Sequence, residues 1–374
     1  MSKKIVICCD GTGNSFDNAT EESNVVKFYS ALSLDSGQIG YYHPGVGTMG
    51  DPGARSGLSK AFSQVKGLVA GAGLLDNVGD AYRYLMNTYA DGDEIFLLGF
   101  SRGAFTARAL ASVLHVFGLL CSGNDGLIPY VLKMYAQRTR LAKRTHVTFP
   151  TDDLFGWQFS HSHQVRVHFC GLWDTVSSYG WFYDPIMLPF NGNNPIIDIG
   201  RHAVSIDERR CFYRDNLWGP PLRGQDFRQV WFAGVHADVG GSYPEDESGL
   251  SKIALEWMFV EVEKAGLRLD RSRAQAVLGR AIPFPKIDGM LTYVEPDENA
   301  CRHDSLEGWW RLLEYVPQPF PDLKGRWVVP RGRRRTIPPG SLVHESVIQG
   351  KWKPADLPAE YRIEPYVPYP VRSA

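Results

Sequence analysis

No stretch of this 374-residue chain is apolar for long enough to cross a bilayer, because a spanning helix needs about 20 apolar residues in a row. No secretory leader is legible either. Met1-Ser2-Lys3-Lys4 leads into only Ile5 to Cys9, too short for the hydrophobic part of a signal peptide. The default expectation is a cytoplasmic protein, which leaves room for export by a machinery that ignores signal peptides. Net charge is almost absent: 40 Lys and Arg against 41 Asp and Glu leave −1. That balance supports neither nucleic acid nor an acidic membrane as the main partner. Peripheral membrane contact and the oligomeric state are left open. Cysteine is scarce, at 8, 9, 121, 170, 211 and 301, with no Cys-x-x-Cys, so a disulfide framework and a zinc site are both excluded. Cys8 and Cys9, consecutive in an apolar run, read as buried thiols. The sequence calls for no metal and no cofactor.

What is present centres on Glu94 to Ala111. The apolar run Ile95 to Leu98 ends at Gly99, Ser101 stands at the corner, and a small-residue helix follows at once. This is strand, tight turn and helix, carrying the Gly-x-Ser-x-Gly pattern of a nucleophile elbow. A side chain at Gly99 or Gly103 would collide with the neighbouring strand or helix. Ala104, Ala107, Ala111 and Leu114 give the helix a slim face that can lie close on a sheet. The plain alternative is a glycine-punctuated turn with a capping serine.

The remaining chain reads as an α/β domain. Ile5–Cys9, Ile39–His43, Val165–Trp173 and Val230–Val235 are strands. Val25–Leu34, Asp76–Tyr89, Leu127–Arg144, Arg201–Phe212 and Ser251–Ala265 have helical patterns. Strand, helix, strand order with short connections argues for right-handed crossovers and a mostly parallel sheet with helices on both faces. With no repeat and no clear linker, residues 1–374 form one domain, with insertions at 120–164 and 177–228 and an irregular wrap from 267. Residues 50–73 make a long loop. The cluster Arg331, Arg333, Arg334 and Arg335, beside Pro338 and Pro339, reads as a solvated basic loop.

A serine nucleophile needs a base, and the base needs an orienting acid. In a parallel sheet ligands sit beyond the carboxyl ends of the strands. Downstream of Ser101 only His236 directly follows a convincing strand; His43 lies upstream, His168 lies within a strand, and His344 is the strongest competitor. For the acid, Asp174 ends the strand after the elbow and Asp238 lies two residues beyond His236. The order Ser101, Asp174, His236 matches the α/β-hydrolase order.

Five blocks then carry a resemblance: Cys9-Asp10-Gly11-Thr12-Gly13-Asn14, Tyr42-His43-Pro44-Gly45-Val46-Gly47-Thr48, Gly99 to Ala104, Trp173-Asp174-Thr175-Val176 and Gly234 to Gly241. With His303-Asp304-Ser305-Leu306 and His344-Glu345-Ser346-Val347 as late motifs, the chain resembles the α/β-hydrolase family that includes the type VI secretion lipase effectors, which are phospholipases. The resemblance implies Ser101 as nucleophile, Asp174 as acid and His236 as base. It departs from those effectors in lacking their large extra membrane-docking region.

The expected chemistry is cleavage of carboxylic esters, lipid-like ones first, with the oxyanion against the N–H of Arg102 and one from the Gly11–Thr12 loop. Asp10 is expected to brace that loop. Tyr179, Trp181, Phe182 and Tyr183 are candidates for an acyl pocket, and loops 50–73 and 177–200 for its cover. A pocket of that kind favours short or medium acyl chains over intact bilayers. Two other classes remain. One is a Mg²⁺-dependent phosphatase built on Asp10-Gly11-Thr12, which lacks the second acid that such sites carry two places on. The other is a non-catalytic binding module that keeps the fold.

Overall fold

The first apolar run pairs on both sides. In the computed structural model of the chain, β1 (Lys4–Cys9) runs parallel to β2 (Gln38–His43) and to β3 (Glu94–Phe100), with Ile5 opposite Ile39 and Ile95. The structure describes residues 2–11, 21–45, 72–145, 159–162, 165–176, 180–181, 184–185, 190, 192–280, 292–320, 326–354 and 357–370. β4 (Val167–Trp173), β5 (Ile197–Ser205), β6 (Asp226–Phe232), β7 (Ser341–His344) and β8 (Tyr361–Glu364) complete the sheet. Its order is β8-β7-β6-β5-β4-β3-β1-β2, eight strands, and every pairing is parallel.

Alternation along the strands feeds two cores. Ile5, Ile7, Ile95 and Leu97 pack beneath α2 (Ala72–Thr88), α3 (Arg102–Phe117) and α4 (Ile128–Thr145). Val6, Cys8, Phe96 and Leu98 face the other way, with Phe28 of α1 (Asn24–Ser30) and Leu255, Met258 and Phe259 of α6 (Gly249–Lys264). Helices therefore cover both faces, as a parallel sheet requires. The short α5 (His236–Gly240) fills the gap between β6 and α6.

The elbow helix is buried nearly all round, His115 alone excepted. A Cβ on Gly99 would lie 2.6 Å from the Gly103 carbonyl oxygen, and one on Gly103 would lie 2.1 Å from that of Cys9. The two glycines thus let α3 start almost against β1 and β3.

Two sequence expectations need correction. Arg201–Phe212 is not a polar helix, because its first half belongs to β5, between β4 and β6. Its polar side chains are satisfied inside: Arg201 pairs with Glu261 and Asp226, and His202 Nε2 accepts the Thr175 N–H at 3.1 Å. Polarity argued for a surface helix, but here it is internal pairing. Secondly, the C-terminal part is more than a wrap of short helices and loops. After α7 (Arg271–Val277) and α8 (Trp309–Leu313), β7 and β8 extend the main sheet, and α9 (Glu345–Gln349) follows β7 directly. At four residues each, these strands give alternation the shortest run on which it can act.

Candidate active site

Ser101 sits between the last residue of β3 and the first of α3 with φ 58° and ψ −120°. A non-glycine residue at positive φ is strained by about 1–3 kcal/mol unless its surroundings hold it. Here the Ser101 N–H donates to the Trp173 carbonyl at 3.0 Å and the Ser101 carbonyl accepts the Phe105 N–H at 3.3 Å. One strand over, Asp174 ends β4 with φ 38°, its N–H bonded to the Ala203 carbonyl at 2.7 Å. Beyond β6, Gly234 at φ 100° turns the chain, and His236 opens α5. A Cβ on Gly240 would fall 1.8 Å from the Phe100 ring, so α5 presses onto the elbow strand only because that residue is glycine.

These three strand ends bring their side chains into one chain of hydrogen bonds. Ser101 Oγ lies 2.8 Å from His236 Nε2, and His236 Nδ1 lies 2.5 Å from Asp174 Oδ2. All three residues are buried. The imidazole is held from both sides, stacked on Phe100 at 4.7 Å and edge-on to Tyr213 at 4.8 Å. Its backbone N–H donates to Glu208 Oε2 at 3.2 Å.

The electrostatics favour a neutral imidazole beside a charged carboxylate. Burial pushes the His236 pKa down, the Asp174 carboxylate pulls it up, and the balance lies below the ordinary value. Burial alone would raise the Asp174 pKa. The Arg335 guanidinium and His236 outweigh that and hold it well below the usual carboxylate range. Glu208, buried and paired with Arg210, is lowered to about 2, against the opposing effect of its burial.

The competing residues have other partners. Asp238 does not meet His236's ring; its Oδ2 accepts the Val235 N–H at 2.9 Å, and its Oδ1 lies 2.7 Å from His303 Nδ1. His344 caps α9, with Nδ1 2.8 Å from Ser346 Oγ and its ring on Phe232, and burial lowers its pKa to about 3. His43 Nε2 is 3.6 Å from Asp80, and His168 Nε2 is 3.0 Å from the Ala265 carbonyl.

Arg102 occupies the first turn of α3, where the helix itself offers its amide no acceptor. Gly11 lies close to the elbow, since a Cβ there would be 3.4 Å from Ser101 Cβ. Its N–H, however, donates to Asp10 Oδ1 at 2.6 Å. Thr12 lies outside the described residues. The same Asp10 accepts from Ser23 Oγ and Tyr42 OH, each at 2.7 Å, and so ties β1's exit loop to α1 and β2. Among the described residues no three His, Cys, Asp or Glu are grouped to hold a metal ion.

Tyr179, Phe182 and Tyr183 lie outside the described residues, as do 50–71 of the first covering loop and much of the second. Trp181 pairs with Asp184 in a two-stranded turn.

Sequence reasoning missed Arg335, which it placed in a solvated loop. Its side chain is 5% exposed and bonds to Asp174. It also missed Glu208 and Tyr213. Four arginines within five residues of a proline-rich stretch give no periodic signal, so nothing in the string marks the one that turns inward.

A parallel sheet with helices on both faces, and a serine elbow facing a histidine and an aspartate at two further strand ends, defines an α/β protein of hydrolase architecture. A family model described as the T6SS phospholipase effector Tle1-like catalytic domain matches residues 3–261, and the chain belongs to that family.

An uncharacterized protein of Saccharomyces cerevisiae, YEL023C, is 32% identical over 228 residues. The match covers 58% of this chain and 33% of that protein, so the chain spans about a third of that relative's length. Among solved structures, an uncharacterized protein from Pseudomonas aeruginosa shares 20% identity at a TM-score of 0.42, over 78% of this chain and 49% of the other. A Tle1 effector bound to the VgrG spike of the type 6 secretion system shares 18% at 0.39, over 67% and 53%. No helix among the described residues is long and apolar enough to cross a membrane.

Proposed function

We propose that this chain is a serine hydrolase acting on carboxylic esters of lipids, with Ser101 as nucleophile, His236 as base and Asp174 as acid. The observation that carries the reading is the unbroken chain Ser101 Oγ, His236 Nε2, His236 Nδ1, Asp174 Oδ2 at 2.8 and 2.5 Å. Membership of a phospholipase effector family supports the lipid ester as substrate class.

In this mechanism Ser101 Oγ attacks the ester carbonyl as His236 Nε2 takes its proton. Asp174 keeps the proton on Nδ1 and stabilises the imidazolium. The tetrahedral oxyanion is held by the Arg102 N–H and the positive end of α3, with the Gly11–Thr12 loop as the source of a second donor. Collapse breaks the C–O bond, and the alcohol leaves with the proton from His236. Water, deprotonated by the same imidazole, then hydrolyses the acyl-serine.

The bonds of Asp10 to Gly11, Ser23 and Tyr42 support a bracing role for it rather than the nucleophilic role a phosphatase reading needs. The whole chain is proposed as one domain, since β7 and β8 belong to the sheet that carries the site. Export, the family's secretion role, is likewise a proposal, with release of the protein into medium by intact cells as its measurement.

The test of the enzyme reading uses Ser101→Ala. Hydrolysis of p-nitrophenyl esters should fall by about 10³-fold or more, labelling by a fluorophosphonate probe should vanish, and Tm should hold. A folded Ser101→Ala protein with wild-type turnover overturns the reading. An unlabelled, inactive wild type would favour a binding module.

A further inference from the structure

The acid of the site is held by a residue from beyond the stretch that defines the family. Arg335 lies past residue 261, where the family match ends. It reaches back between β5 and the loop that follows it. Its Nη1 lies 2.5 Å from Asp174 Oδ1 and its Nη2 lies 3.1 Å from Asp174 Oδ2. Nη1 also donates to Ser205 Oγ at 2.7 Å, and Nη2 donates to the Tyr213 carbonyl. The two-pronged contact takes both carboxylate oxygens, and the fork fixes the plane of the carboxylate as well as its charge.

We infer that Arg335 is a positioning residue for the hydrolytic site: its guanidinium clamps both oxygens of Asp174 and so holds Oδ2 against His236 Nδ1. The inference rests on the serine-hydrolase reading above and adds to it a part that the matched region lacks. Without the guanidinium, this fully buried carboxylate keeps, among the described residues, the Ser205 N–H and the imidazole as partners of its oxygens. It would then draw a proton onto the pair, through His236, at higher pH. With the guanidinium in place, Asp174 is already compensated, so the resting imidazole stays neutral and able to accept the Ser101 proton.

The charged groups around the pair come from several elements. Glu208, Arg210 and Tyr213 lie on the loop after β5, Asp215 lies further along it, and His202 lies within β5 behind Thr175. Glu208 and Arg210 are bonded to each other and largely offset one another. Asp238 on α5 is occupied by His303. Arg335 is therefore the cation that bears directly on Asp174.

The experiment compares Arg335→Gln, which keeps donors and loses charge, with Arg335→Lys, which keeps charge and loses the fork. Each is normalised to active sites by fluorophosphonate titration. For Arg335→Gln, kcat should fall about tenfold or more with KM unchanged, since the side chain acts only through the acid. The acid limb of its kcat/KM profile should move to higher pH by about one unit, because the imidazolium is no longer opposed by a neighbouring cation. Arg335→Lys should keep the limb of the wild type and lose severalfold in kcat.

Both variants within twofold of wild type, on the same limb, would overturn the inference. So would a loss confined to Tm or to the fraction of active sites, or failure of both variants to fold, since each outcome makes Arg335 a structural residue only. The serine-hydrolase reading fails separately, through an active Ser101→Ala.

Discussion

Two histidine–aspartate pairs meet at α5, and the pKa values of their histidines are shifted in opposite directions. In one, His236 Nδ1 meets Asp174 Oδ2 at 2.5 Å with both side chains buried and Arg335 bonded to both oxygens of the acid. In the other, His303 Nδ1 meets Asp238 Oδ1 at 2.7 Å, and Glu247 takes Nε2 at 2.8 Å from a half-exposed position. Burial lowers the pKa of His236, whereas the Asp238 hydrogen bond, with Glu247, raises that of His303 to about 9. The contact between ring and carboxylate is nearly the same. What differs is burial, full for His236 and partial for His303, and with it the third partner: a cation on the acid in the first pair, a second anion on the base in the second. The first pair leaves a neutral ring with Nε2 aimed at a serine hydroxyl. The second makes a charged clamp, with Tyr243 stacked on its ring at 3.6 Å, that ties the C-terminal segment to α5.

The sharpest way to break this contrast is to neutralise each acid. Asp174→Asn should cost turnover about 10³–10⁴-fold by stabilising the wrong tautomer of His236. Asp238→Asn should cost about fivefold or less, as expected of a partly exposed pair remote from the proton path. Steady-state kcat on a soluble ester decides it, and the reverse ranking would move the acid to Asp238.

Next in size is the pH profile of the intact enzyme. A base must be neutral to accept a proton, and the folded pKa of His236 is depressed below 6.5. Activity should therefore be full at neutral pH and fall only as pH drops through a value under 6.5. A limb above 7 in kcat/KM would show that the imidazole is held charged, like that of His303.

The smallest effect concerns stability. The folded pKa of His303 is raised from 6.5 to about 9. Its contribution is thus complete below about 6.5 and is lost as pH rises through about 9. The gap in Tm between wild type and His303→Gln should be widest below about pH 6.5, narrow as pH rises and close toward pH 10, with kcat little changed. A gap independent of pH would mean that His303 acts by packing on Tyr243 alone.

The string of residues itself determined much of this molecule. Runs such as Ile5–Cys9 and Ile95–Leu98, short, apolar and bounded by glycine-rich turns, read as buried strands, and Gly99 and Gly103 admit a helix against them because a Cβ at either would strike backbone. Local sterics and periodicity act over a few residues, so they can be read without the fold. The same reasoning picked out Ser101, Asp174 and His236 as candidates, because each follows a legible strand, and the fold brings their side chains together.

It could not read β5, whose Arg201 and His202 look like surface residues until Glu261, Asp226 and the Thr175 amide close around them. Nor could it choose Arg335 from its neighbours, or assign Asp238 to His303 rather than to His236. Those choices depend on which charges meet across 65 to 161 positions of chain. A buried charge is stable only beside its partner, and it is tertiary packing that decides which partner that is.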